Sequence, residues 1–123
     1  MAEAESAEVT VQRQLDAFNA RDLEALLATY ADDAEVYEHP STLIAAGKDA
    51  LRQRYAARLA EPNLRADLRY RVVLGSKVID HERVIRTFPE GEGEIDLVMI
   101  YEVKAGRIAK AWSIAGAPTL YSR

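Results

Sequence analysis

The chain has 123 residues, 49% of them apolar and 29% charged, with a formal net charge of −4; one globular domain fits that length and two ordinary ones do not. The absence of cysteine excludes a disulfide framework, a thiolate metal site and a cysteine nucleophile. No apolar run reaches the roughly 18 residues of a membrane span, and the Ala/Glu-rich start, Met1 to Glu8, lacks the basic and apolar stretches of a secretory leader. A cytoplasmic single domain over residues 1–123 is therefore expected, with residues 1–7 frayed. Charge is uneven. Residues 1–40 hold two basic and ten acidic side chains, whereas residues 41–86 hold ten basic and five acidic. An acidic chain is a poor general nucleic-acid binder, and the arginines between 52 and 71 read as solvated faces of a helix and a strand.

The first half reads as helix. Val11, Leu15 and Phe18 lie at i, i+4 and i+7, the stripe of an amphipathic helix. Asn19 to Asp22 breaks it, and Asp22 is an N-cap for a short second helix whose apolar face is Leu23, Leu26, Leu27 and Tyr30. Ala34 to Glu38 reads as a strand stopped by His39-Pro40. Ser41 to Gly47 reads as a loop with an apolar tip, Leu43-Ile44. Lys48 to Ala60 is a third helix with Leu51, Tyr55 and Leu59 on one stripe, closed by Pro62.

The second half reads as antiparallel sheet. Ala66, Leu68, Tyr70, Val72 and Leu74 alternate with polar residues, so one apolar face is expected. Gly75-Ser76 is a turn, followed by a long strand from Lys77 to Phe88. A flexible Pro89–Gly93 connection leads to a strand over Glu94–Val103, and Lys104-Ala-Gly106 turns into a last strand over Arg107–Ala115. Helices first and strands after give an α+β class. Three short helices cannot cover both faces of four long strands. If they cover the concave face they close a cone, and the convex face, with Val84 and Val98 as candidate residues, is expected to meet a second copy in a homodimer.

The order of elements and several segments resemble a known group. The segments are Val11–Asn19, Arg21–Glu24, Tyr30–Val36, Gly47–Arg52, and Ile100–Ile108 with Trp112. The sequence is similar to the nuclear transport factor 2-like superfamily, in its SnoaL-like and ketosteroid isomerase-like branch, over about residues 8–116. The resemblance implies a cone-shaped α+β barrel of three N-terminal helices packed on a curved antiparallel sheet. It also implies a general base at the end of the first strand just before a proline. Here that place is Glu38-His39-Pro40, so either Glu38 or His39 is the counterpart. The family's oxyanion donors, a Tyr and a protonated Asp, correspond to Gln14 and Met99. Gln14 can donate one hydrogen bond and Met99 none, so standard ketosteroid isomerisation is not expected. Tyr55 matches a tyrosine supporting the family's hydrogen-bond network.

The resemblance also points Ile79, His81, Arg83 and Ile85 into the cone. His81 would act as acid or base near neutral pH and Arg83 would pair with a substrate anion. The plainer reading is an Arg83 ion pair with Glu38 or Asp96 and a hydrogen-bonded His81. The candidate catalytic residues are thus Glu38, His39, His81 and Arg83. The candidate substrate-binding residues are Gln14, Phe18, Tyr30, Tyr55, Met99 and Tyr101. No cofactor is expected, and the two histidines have no metal-ligand spacing. Gly91-Glu-Gly93 lacks the rest of a dinucleotide loop. The expected function is a cofactor-free proton-transfer enzyme, isomerase or cyclase in type, on a small apolar molecule. The alternatives are a non-catalytic binder of such a molecule or a dimeric interaction protein. No nucleic acid or membrane partner is expected.

Overall fold

The computed structural model describes the backbone of residues 2–122 and the side chains of residues 7–122. Of the segment expected to fray, Met1 and the side chains of residues 2–6 lie outside the described residues. Helix α1 (Ala2–Ala20) buries Ala7, Val11, Gln14, Leu15 and Ala17, positions that recur every three to four residues. It ends where Arg21 takes a left-handed φ of 58° and donates to the carbonyls of Leu59 and Glu61 at 2.7 and 2.6 Å. Asp22 caps helix α2 (Leu23–Ala28), its carboxylate accepting from the Ala25 amide at 3.1 Å. Tyr30, expected on the apolar face of that helix, lies outside it. It opens strand β1 (Tyr30–Glu38), because Thr29 ends the turn by donating its hydroxyl to the Leu26 carbonyl.

The expected loop after Pro40 contains strand β2 (Thr42–Ala46), which pairs antiparallel with β1. Its exposed Leu43 and Ile44 hide the alternation that marks a strand. Helix α3 (Lys48–Leu59) buries Leu51 and Leu59. Strands β3 (Arg65–Leu74), β4 (Lys77–Phe88), β5 (Gly91–Lys104) and β6 (Arg107–Ala115) follow, and a two-residue β7 (Thr119–Leu120) pairs with β5.

The sheet order is β2-β1-β6-β5-β4-β3. It is mixed rather than antiparallel throughout, because β1 runs parallel to β6. The helices pack on one face, the inner one, giving an α+β architecture with a curved seven-stranded sheet. No helix among the described residues is long and apolar enough to cross a membrane.

Facing on β3 departs from simple alternation. Leu68 pairs with Glu82 but Tyr70 already pairs with His81, so Arg69 is an extra residue, a bulge. A bulge reverses which side chains face inward beyond it. Ala66 is buried in the core, whereas Tyr70, Val72 and Leu74 are exposed on the outer face. Arg71 then turns inward and holds the fully buried Asp80 through two hydrogen bonds of 2.7 and 2.9 Å. Two apolar clusters flank the inner face. One is built around Val11, Tyr30, Leu51, Val78, Tyr101 and Ile108, the other around Leu15, Leu26, Leu59, Leu64, Ala66 and Val84. Val84 therefore belongs to the core and not to the outer face; the reason is the register of β4.

Candidate functional site

Strand β4 buries every second residue, Val78, Asp80, Glu82 and Val84. This is the opposite parity to the one expected. Each face of β4 carries two titratable residues among apolar ones, so hydrophobicity alone does not orient it; Arg71, turned inward by the bulge, supplies the charge that lets Asp80 be buried. His81 and Arg83 consequently lie on the outer face. His81 stacks on Tyr70 with ring centroids 6.2 Å apart and sits 3.3 Å from Asp96. Arg83 pairs with Asp96 and Glu94 at 3.3 and 3.4 Å. Neither lines the cavity.

Between the helices and the inner face lies a cavity of about 450 Å³. Its floor is Leu97, Met99, Ser113 and Ala115, its roof Tyr55 from α3, and one wall Leu15 and Phe18 from α1. Register places Glu38, Ser113, Met99 and Asp80 in one row across β1, β6, β5 and β4. Glu82, Leu97 and Ala115 form the next. Glu38 and Glu82 thus look into the cavity from opposite sides, about 14 Å apart along three strand spacings before curvature draws the walls together. Glu38 is exposed at the rim. His39, one residue on, is exposed and does not line the cavity, its backbone amide donating to the Ser113 carbonyl. Of the two alternatives before Pro40, it is Glu38 that the cavity sees.

Glu82 is the feature sequence reasoning missed. It is only 4% exposed, lines the cavity, and makes no side-chain hydrogen bond or ion pair among the described residues. Burial pushes its pKa up to about 7, the neighbouring Asp80 carboxylate adds to the rise, and Arg71 opposes it. A carboxyl poised there can both accept and return a proton near neutrality.

Five of the six expected binding residues, Gln14, Phe18, Tyr55, Met99 and Tyr101, line the cavity. Tyr30 stands behind Tyr55, their hydroxyls 2.7 Å apart. Tyr101 donates to the Gln14 carbonyl oxygen and the Gln14 amide donates to the Tyr30 hydroxyl, each at 3.4 Å. Burial raises the pKa of all three tyrosines, so they remain protonated donors. Either hydroxyl of the Tyr30–Tyr55 pair can donate; with Tyr30 donating, the Tyr55 proton is free for a ligand oxygen. No group of three or more metal-ligating side chains gathers among the described residues.

At the rim, Arg54, Arg58 and Arg86 line the cavity. Arg86 is held by Glu61 through two hydrogen bonds of 2.9 and 2.8 Å, and Arg58 approaches the same carboxylate at 3.5 Å.

The SnoaL-like domain family matches residues 11–111. No curated protein matches the chain. Among solved structures, a nuclear transport factor 2-like protein of unknown function from Mesorhizobium loti is 24% identical, with 94% of each chain covered and a TM-score of 0.79. A protein proposed as a ketosteroid isomerase, from Kribbella flavida, is 17% identical over 97% of this chain and 84% of that one, with a TM-score of 0.77. One proposed as a polyketide cyclase, from Sinorhizobium meliloti, is 26% identical over 85% and 93%, with a TM-score of 0.70.

Proposed function

The chain belongs to the SnoaL-like domain family, and from that premise we propose that it is a cofactor-free enzyme that moves a proton on a small apolar molecule held inside a cone-shaped barrel. The observation that carries this reading is Glu82, a buried carboxyl without a hydrogen-bond or ion-pair partner among the described residues, lining a largely apolar cavity. An unpaired buried carboxyl costs stability, and such a cost is common where a group must exchange protons. In the reaction, ionised Glu82 takes a proton from a carbon next to a substrate carbonyl. The electron pair moves onto the carbonyl oxygen, which accepts the Tyr55 hydrogen bond. Protonated Glu82 then returns the proton at the same or a conjugated carbon, which gives exchange or isomerisation. Glu38, on the opposite wall, is a second base for substrates lying the other way. The isomerase and cyclase proposals made for the two named relatives agree with this class of chemistry.

The test needs no product identified in advance. Cyclic enones and polycyclic phenolic ketones are incubated with the protein in D₂O, and carbon-bound hydrogen exchange is followed by NMR. Wild type should accelerate exchange for at least one class. Glu82→Gln should slow it about a hundredfold or more, and His81→Ala should leave it unchanged. Saturable binding with no exchange in any class would replace this reading with that of a non-catalytic binder.

We further propose that a second copy of the chain covers the outer face. Tyr37, Trp112, Ile100, Ile79 and Val72 form one row across five strands, and Ile114, Val98, His81 and Tyr70 the next. Trp112 stacks on Tyr37 with ring centroids 5.9 Å apart. Tyr70 and Val72 are 74% and 48% exposed, more apolar surface than a lone sheet face ordinarily offers to water. The flanks carry both signs of charge, Lys110 with Glu35 on one side and Arg83 with Asp96 on the other. Either flank of a two-fold related copy can therefore find an opposite charge across the seam.

A further inference from the structure

Resting on the cavity reading above, we propose that the ligand carries an anionic head, which Arg54 and Arg58 bind at the rim beside Arg86, and an apolar body that reaches inward to Glu82. The argument is one of charge left unbalanced. Three guanidiniums line this side of the rim, and the carboxylate placed among them is Glu61. Its oxygens are already taken by the bidentate Arg86 and the Thr87 amide at 3.1 Å. Arg58 reaches it only at 3.5 Å, and Arg54 makes no ion pair among the described residues. Burial depresses the Arg58 pKa, and the neighbouring Arg86 and Arg54 depress it further, against the pull of Glu61. An incoming anion relieves that crowding. The other charged groups lining the cavity are Glu38 and Glu82. Neither pairs with these arginines, and Glu38 stands on the β1 side. The rim is thus polarised, positive along α3 and the end of β4 and negative at β1, which orients a ligand with its head toward α3. The rest of the lining, Phe18, Val84, Leu97 and Met99, suits a ring system. A carboxylate attached to an aromatic or alicyclic body fits both halves, since a planar carboxylate matches guanidinium donors.

Calorimetric binding of 2-naphthoate and of neutral 2-naphthamide, at pH 7 and low salt, tests this. Wild type should bind naphthoate about tenfold or more tighter than the amide. Arg54→Gln together with Arg58→Gln should erase that preference and leave the amide's affinity unchanged. Arg54→Gln alone, at an exposed position, should lower it about threefold without risk to folding. Arg83→Gln on the outer face should keep the full preference. Equal affinities in wild type, or a preference that survives the double substitution, would overturn the anion-reading rim while leaving the cavity reading standing. If neither probe bound, both would fall.

Discussion

Glu82 makes the pH dependence of stability a direct probe of the site. Its folded-state pKa of about 7 stands against an ordinary value of 4.5. Between those values the folded protein keeps a proton that the unfolded chain releases, so folding weakens as pH rises. Each pH unit across that window costs about 1.4 kcal/mol. The stability associated with neutral Glu82 is fully present below pH 4.5 and is lost as pH passes through 7, a total of about 3 kcal/mol by pH 8.5. Glu82→Gln keeps the shape and removes the titration. Every other titratable group is present in both proteins, so the difference between them reports on Glu82. For a domain of this length about 3 kcal/mol corresponds to roughly 10 °C in Tm. Thermal unfolding followed by circular dichroism at pH 4.5 and pH 8.5 should therefore show wild type losing about 10 °C relative to Glu82→Gln between the two conditions. A gap between the two proteins that is the same at both pH values would mean that Glu82 ionises in the fold as it does in water, and the reasoning from its burial would fail.

Asp80→Asn leaves the largely buried Arg71 guanidinium with only Gln12 and Glu8 beside it among the described residues; chemical denaturation should show a loss of about 3 kcal/mol. The same change removes an anion that raises the Glu82 pKa, so the pH profile of hydrogen exchange should move to lower pH. Gly93→Ala places a Cβ 2.3 Å from the Thr119 carbonyl oxygen, which should expel β7 and make residues 117–122 the first site of proteolysis while the rest stays folded. Ile100→Lys, in the middle of the outer apolar rows, should convert a dimer to a monomer by light scattering and leave naphthoate binding intact.

Much of this arrangement is legible in the residues. The stripe Val11, Leu15, Phe18 places α1, Asp22 caps α2 as its side chain predicts, and the turns at Gly75-Ser76 and Gly106 delimit β4, β5 and β6. The site is harder to read, because it breaks the rules that patterning relies on. Asp80 and Glu82 are buried where polarity says they should be wet, while Tyr70, Val72 and Leu74 are exposed where it says they should be dry. Both inversions trace to contacts that periodicity does not encode, the bulge at Arg69 and the Arg71–Asp80 pair. A long-range pairing of an arginine in β3 with an acid in β4 leaves no local mark. The resemblance narrows the place before Pro40 to Glu38 or His39 without choosing between them. Glu82 carried no such mark, apart from being one of two acids sharing a strand face with Val78 and Val84.

The extra residue at position 69 works like an insertion that shifts a reading frame. Upstream of it β3 addresses the core with alanine and leucine; downstream, the same alternation delivers an aromatic and aliphatic surface outward and an arginine inward. Were Arg69 to pair with His81, the alternation would run uninterrupted and the two messages would be exchanged at once, with Tyr70 and Val72 sent toward the helices and Arg71 into solvent. Deleting Arg69 would instead leave Tyr70 opposite His81 and Arg71 opposite Asp80, and the facing intact. This strand is therefore defined less by which residues occur than by which partner each one takes.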